Sequence, residues 1–210
     1  MTDVQDAQRH TITQRVQIID AAIAVFHDTD YADADLSTVA AAAGLTVTEV
    51  RAHFHDWDSL VVATLDRWNG NRMWALRDFA NDRGAVAFLQ AVVAGNVEDP
   101  ALTRLLAATF PAGANPRHPA SAYYRQQYAL FFGFVRQTLE HDVAVGREAS
   151  TTDPTHGAEQ LVALYEGLSL QSLLRDFDLQ RAFDRGVARL RHGWTEEYVE
   201  AVEAVEAVGV

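Results

Sequence analysis

The chain has 210 residues, 49% of them hydrophobic, and carries 17 arginines, no lysine and 29 acidic residues for a net charge of −12. That length suffices for one large domain or two small ones sharing a core, and the charge argues against loose adhesion to nucleic acid or anionic membranes. The absence of cysteine excludes disulfides and thiolate metal sites. No run approaches the roughly 18 apolar residues of a bilayer span, and the polar opening MTDVQDAQRH lacks the apolar core of a secretory signal. Cytoplasmic residence without a membrane partner is the expectation.

Apolar spacings of three and four recur throughout and period-two alternation is scarce, so the fold is expected to be all-α. The first helix is predicted over about residues 13–27, burying Ile18, Ile19, Ala22, Val25 and Phe26, and 28-DTD-30 breaks it. A short helix follows over 37–43, with Ala40, Ala42 and Ala43 small enough for close contact and Gly44 placed for a left-handed stop. Thr46 with Glu49 three residues on forms a capping box for another short helix, ending near Phe54. Asp56 or Asp58 caps a long fourth helix reaching about Phe79. Further helices are predicted near 84–96, 100–109, 119–142, 154–175 and 179–205. Asp99-Pro100 and Asp153-Pro154 each set a cap before a proline at the first helical position. Segments 111–117 and 146–152 read as loops, and 200-EAVEAVEAV-208 as a solvated, fraying helix end.

Two short helices joined by a tight glycine turn form a helix-turn-helix, which projects the first turn of its second helix into a major groove. Val39, Leu45, Val50, Phe54 and Leu60 are assigned to its core. Thr46 and Thr48 can bond phosphate or base edges, Val47 can touch a thymine methyl, and Arg51 serves as phosphate clamp or guanine reader. Ser37, Thr38, His53 and His55 complete the candidate DNA-facing set. Charge is the difficulty. Residues 1–65 hold three arginines (Arg9, Arg15, Arg51) against ten acids, a net of −7. A dimer would then offer at most about six cations, the low edge of the roughly 6–10 phosphate contacts a repressor makes.

In 123-YYRQQYALFFGF-134, Tyr124, Tyr128 and Phe131 share one helical face. Such a stripe is either core or the wall of a ligand pocket, with the Tyr hydroxyls, Arg125 and Gln127 as polar groups and Trp68, Met73, Trp74 and Phe79 as a facing wall from the fourth helix. In the next-to-last helix Leu161, Leu164, Tyr165 and Leu168 form one face that Ser172 continues. The rest of its surface is also mostly apolar, which calls for cover on nearly all sides. A homodimer interface through these residues, with Gly167 and Ser172 allowing close approach, supplies that cover; a central core helix within a single protomer is the other reading. His53 and His55 lie about 200° apart on a helix, so no metal site is assigned. No nucleophile motif or phosphate-binding glycine loop is present; no cofactor and no enzymatic activity are expected.

The runs 15-RVQIIDAAIAVF-26 and 37-STVAAAAGLT-46, with His53-Phe54 and 58-DSL-60, resemble the DNA-binding domain of TetR-type regulators. The run 161-LVALYEGLSLQ-171 is similar to the penultimate helix of that family, part of a four-helix dimer interface. The resemblance implies a DNA-binding domain over 10–65, a helical ligand-binding and dimerisation domain over 66–210, and a homodimer on double-stranded operator DNA. It also implies a small-molecule effector that alters DNA affinity, most often releasing a repressor. Arg51 stands where the family usually has tyrosine, and Trp57 where it usually has a phosphate-contacting lysine. These departures leave open an alternative: a dimer that has lost DNA binding and serves as a small-molecule or protein-binding module.

Overall fold

The computed structural model describes residues 2–195, and within them every regular element is helical: α1 (Thr2–Asp28), α2 (Leu36–Ala43), α3 (Val47–His53), α4 (Trp57–Arg83), α5 (Ala85–Glu98), α6 (Pro100–Thr109), a 3-10 helix (Phe110–Ala114), α7 (Ser121–Ala144), α8 (Pro154–Leu174) and α9 (Leu179–Trp194). The 200–208 repeat lies outside the described residues. α1 begins well before residue 13, because nothing in its polar first turns breaks a helix and hydrophobic periodicity registers only where a face is buried. α4 likewise runs past Phe79 until Gly84, at φ +90°, turns the chain. Of the 111–117 segment expected as loop, the first part belongs to a 3-10 helix (Phe110–Ala114) with Pro111 in its first turn, and the remainder is turn and irregular chain.

The head consists of α1, α2, α3 and the start of α4, and its corners are set by local chemistry. Asp35 caps α2, accepting from the Thr38 N–H at 2.8 Å. Gly44 closes α2 at φ +67°, where an L-residue would be strained, and the next N–H, of Leu45, reaches back to the Ala40 carbonyl at 2.9 Å. Thr46 and Glu49 form the full capping box, and Asp56, not Asp58, caps α4. Ile18, Ala22, Phe26, Val39, Val50, Phe54 and Leu60 are buried together. Leu45 is only half-buried against them. α2 makes its close contact through Val39, Ala40 and Ala43, whereas Ala42 faces solvent. Trp57 packs into this core, its ring centroid 5.7 Å from that of Phe26 and 6.2 Å from that of Tyr31.

The head core does not end at the head. Leu102 and Leu105 of α6 and Tyr124 of α7 belong to the same buried cluster, so α1 rests directly on the body. A second core, around Phe88, Leu89, Val93, Leu139, Leu161 and Phe183, holds α5 among α7, α8 and α9. α4 spans both: Leu60, Val61 and Leu65 lie in the first core and Ala80 in the second. At the α4–α5 corner, where Gly84 has no side chain to cap α5, buried Asp142 of α7 accepts from the Ala85 N–H at 2.7 Å. Asp142 also pairs with Arg147.

Candidate DNA-binding face and effector cavity

On the head, hydroxyls expected to face DNA are largely committed to caps. Thr46 Oγ1 accepts from the Glu49 N–H at 3.2 Å and donates to the Glu49 carboxylate at 2.7 Å. Ser37 and Thr38 both donate to Asp35 Oδ1, at 2.6 and 3.0 Å. Val47 is half-buried against the head core. His53 pairs with Gln14 at 2.9 Å, and exposed His55 meets Asp56 at 3.2 Å. The side chains of Thr48 and Arg51 are exposed, and among the described residues they have no partner. Arg15 is spoken for: its guanidinium stacks 4.2 Å over Phe54 and donates to the His53 carbonyl at 2.7 Å, securing the C-terminal end of α3.

The acidity of the head is also partly absorbed. Hydrogen bonds from Ser37 and then Thr38 hold Asp35 at about 2, below its ordinary 3.8. Glu49 is lowered chiefly by the Thr46 N–H, and Asp56 chiefly by the Ser59 N–H. Each carboxylate sits at a helix N-terminus, where the positive end of the dipole offsets it. A depressed carboxylate contributes stability above its ordinary value and loses it as pH falls through the lowered one. An NMR titration of the Thr38 amide is therefore expected to turn near pH 2, with α2 intact at pH 4; a midpoint near 4 would mean that the cap does not form in solution.

The body contains a cavity of about 350 Å³, open on one side and lined by residues of α4 to α8 and of the 3-10 helix. Met73, Val92, Leu106, Phe131 and Leu173 supply apolar wall; Arg72, Asn96, Gln127, Glu166 and Ser169 supply polar atoms. Of the expected ligand residues, Tyr124, Tyr128 and Phe131 line it, whereas Trp68, Trp74 and Arg125 do not. Trp74 is 76% exposed, and Arg125 points to solvent. Trp68 stands one layer behind the wall: Arg72 stacks 3.9 Å over its ring, and its indole N–H donates to Asp99 at 2.9 Å. Burial raises the hydroxyls of Tyr124 and Tyr128 and the Glu166 carboxyl, and lowers Arg72. Arg72, Asn96 and Glu166 escaped the sequence reading. Only Asn96 left a trace there, being a polar residue in helical register with buried Leu89 and Val92.

Asp99 joins cavity to head. Besides Trp68, it caps α6 through the Leu102 N–H at 3.1 Å and meets His27 of α1 at 3.2 Å. Tyr124 is a second link, lining both the effector-sized cavity and another of about 250 Å³ beside Tyr31, Asp58 and His118 at the head.

On α8 the residues expected at a dimer face divide by exposure. Leu161 and Tyr165 are buried within the protomer, while Leu164 is half-buried and packs so tightly on α9 that a Cβ added at Gly186 would lie 2.6 Å from it. Leu168 and Ser172, on the same side, are half-buried. Gly167 is exposed with open space above it. It shares the opposite face with Leu170 and Leu174, 55% and 78% exposed. The intramolecular core claimed the face with the regular apolar stripe and left Gly167 and Leu174 open, while exposed Leu170 also borders the cavity.

Residues 82–202 match the family model of the C-terminal domain of BetI-type transcriptional repressors. No curated protein matches the sequence. Among solved structures, a TetR transcription regulator from Haloarcula marismortui is similar with a TM-score of 0.70 at 17% identity, over 87% of this chain and 95% of that one. FadR from Bacillus subtilis, determined with stearoyl-CoA, gives 0.68 at 14% identity, over 85% and 98%. The multidrug binding protein EbrR, complexed with imidazole, gives 0.60 at 28% identity, over 90% and 98%. With more than half of its length matched by the family model, on a helical body beneath a helix-turn-helix head, the chain belongs to the TetR family of transcriptional regulators and carries a C-terminal domain of the BetI repressor type.

Proposed function

We propose that the protein works as a homodimeric repressor, with residues 10–65 holding operator DNA and 66–210 serving as the effector and dimerisation unit. α3 enters the major groove with Thr48 and Arg51 as its free polar groups. Helix N-termini and backbone amides supply the remaining phosphate contacts, which a head with few cations requires. The partner protomer covers Gly167, Leu170 and Leu174 of α8. The role requires no catalysis and places the protein where the DNA is, in the cytoplasm.

The observation that carries the reading is the continuity of α4. It is cored in the head at Leu60 and Leu65, lines the cavity at Met73 and is cored again in the body at Ala80. A molecule that spreads the cavity displaces this rod, and with it the spacing of the two heads, which DNA reads at about 34 Å per turn. The Arg72–Trp68–Asp99–His27 chain carries the same displacement to α1. Trp57, one of the departures that left open a head without DNA binding, has a packing role between Phe26 and Tyr31.

Fluorescence anisotropy against DNA from the gene's own upstream region tests this at low and near-physiological salt. Saturable binding that survives excess unlabelled random DNA is expected. Absence of binding to either DNA at low salt would transfer the reading to a repurposed head.

A further inference from the structure

Among the described residues Arg72 is the one arginine that lines the cavity, its side chain part-buried, and every group it touches is neutral. Its Nε donates to Asn69 Oδ1 at 3.0 Å and its Nη1 to Asn96 Oδ1 at 2.7 Å. Asn96 is itself locked, donating to Tyr165 Oη at 3.1 Å. The remaining face of the guanidinium stacks on Trp68. No carboxylate of the described residues lies within the 4.0 Å of an ion pair. Asp99, whose charge acts on it, is engaged by the Trp68 indole N–H and by His27.

A buried charge is costly unless paired, and the two charged residues of this cavity differ in how they can meet that cost. Glu166, half-buried and likewise without a partner, can take up a proton and become neutral, which is the direction in which burial moves it. Arginine starts so high that burial does not strip its proton. Arg72 therefore remains a standing positive charge at the wall of an apolar chamber. The amides and Tyr165 orient it without neutralising it.

We propose that the effector is an amphiphile with a single anionic head group of carboxylate type, seated on Arg72, its apolar part lying against Met73, Val92, Leu106 and Phe131. One cation on one fork matches one carboxylate, and about 350 Å³ lies at the small end of sites for compact organic ligands, roughly 300–1,000 Å³. Ser169 Oγ, buried on the same wall without a hydrogen-bond partner, is a further polar station for a ligand atom. The assignment rests on reading this cavity as the effector site.

Isothermal titration of the full-length dimer with decanoate, decan-1-ol and decyltrimethylammonium separates the charge classes on one chain length. Decanoate is expected to bind about tenfold or more tighter than the alcohol, the usual scale for a hydrogen bond to a charged group. Arg72→Gln should erase that difference while leaving decanol affinity in place, and Arg72→Lys should keep part of it. Retained decanol binding also shows that the variant cavity is folded. Equal affinities for acid and alcohol, an Arg72→Gln variant that keeps the difference, or failure of decanoate to bind would overturn the proposal. So would an ammonium probe that binds tightest and is lost in Glu166→Gln. Adding decanoate to the operator complex reads the underlying function separately: tight binding with unchanged DNA affinity would remove the effector role and leave the anion site standing.

Discussion

Arg51→Ala is expected to weaken operator binding by about a hundredfold and to leave thermal stability unchanged. The side chain is exposed on α3 and has no partner among the described residues, so nothing in the fold is lost with it. Its weight comes from scarcity. Of the head's other two arginines, Arg9 is exposed on α1, remote from α3 in sequence, and Arg15 is stacked on Phe54 and bonded to the end of α3; Arg67, just beyond the head, is paired with Asp20 at 2.8 Å. A single such contact contributes about 1–3 kcal/mol, and the dimer loses two at once. If Arg51 clamps phosphate, the loss is uniform across DNA sequences, and the slope of log affinity against log salt becomes shallower by about 2. If it reads guanine, discrimination at one position per half-site collapses instead. Anisotropy titrations at several salt concentrations, on the operator and on single-base variants, distinguish the two. Undiminished affinity with an unchanged slope would remove Arg51 from the interface.

Asp142→Ala is expected to lower unfolding free energy by about 3–5 kcal/mol, the range for breaking a buried ion pair from one side. Against a typical domain total of about 5–15 kcal/mol, that is a large fraction. The carboxylate is 1% exposed and does two jobs. It accepts the first N–H of α5, and it holds Arg147, whose other nitrogen donates to the Asp82 carbonyl at 3.1 Å. Truncation leaves a buried N–H and a guanidinium without their acceptor at the corner where α4 turns into α5. Asp142→Asn keeps an oxygen for the Ala85 N–H and should lose markedly less. Urea unfolding of the three proteins checks the order; a loss below about 1 kcal/mol for the alanine variant would mean that water satisfies the corner.

The features legible in the sequence are those whose partners lie within a few residues of each other. Gly44, Thr46 with Glu49, Asp99-Pro100 and Asp153-Pro154 mark helix ends because a cap needs only the next turn of backbone. The head core was readable for a related reason: α1, α2 and α3 each bury one narrow face, so the periodicity of Ile18, Ala22, Val39 and Val50 names it. Tyr124, Tyr128 and Phe131 were readable as a stripe on one helix. That the stripe lines a cavity was not, because the other walls come from four further helices.

Local sequence therefore determined the helices, their capped ends, the head and the family, while tertiary packing decided which charges and faces remain free. Nothing in the order of residues separates Arg15 from Arg51; the ring of Phe54, 39 positions away from Arg15, takes one and leaves the other. Arg72 gained its significance only when Asn96 and Tyr165 arrived from α5 and α8. On α8, apolar almost all round, the pattern could not choose between two faces. Packing against α5, α7 and α9 buried Leu161 and Tyr165 and turned Leu174 outward, because hydrophobic burial is non-directional and the assembled core determines which face it takes up.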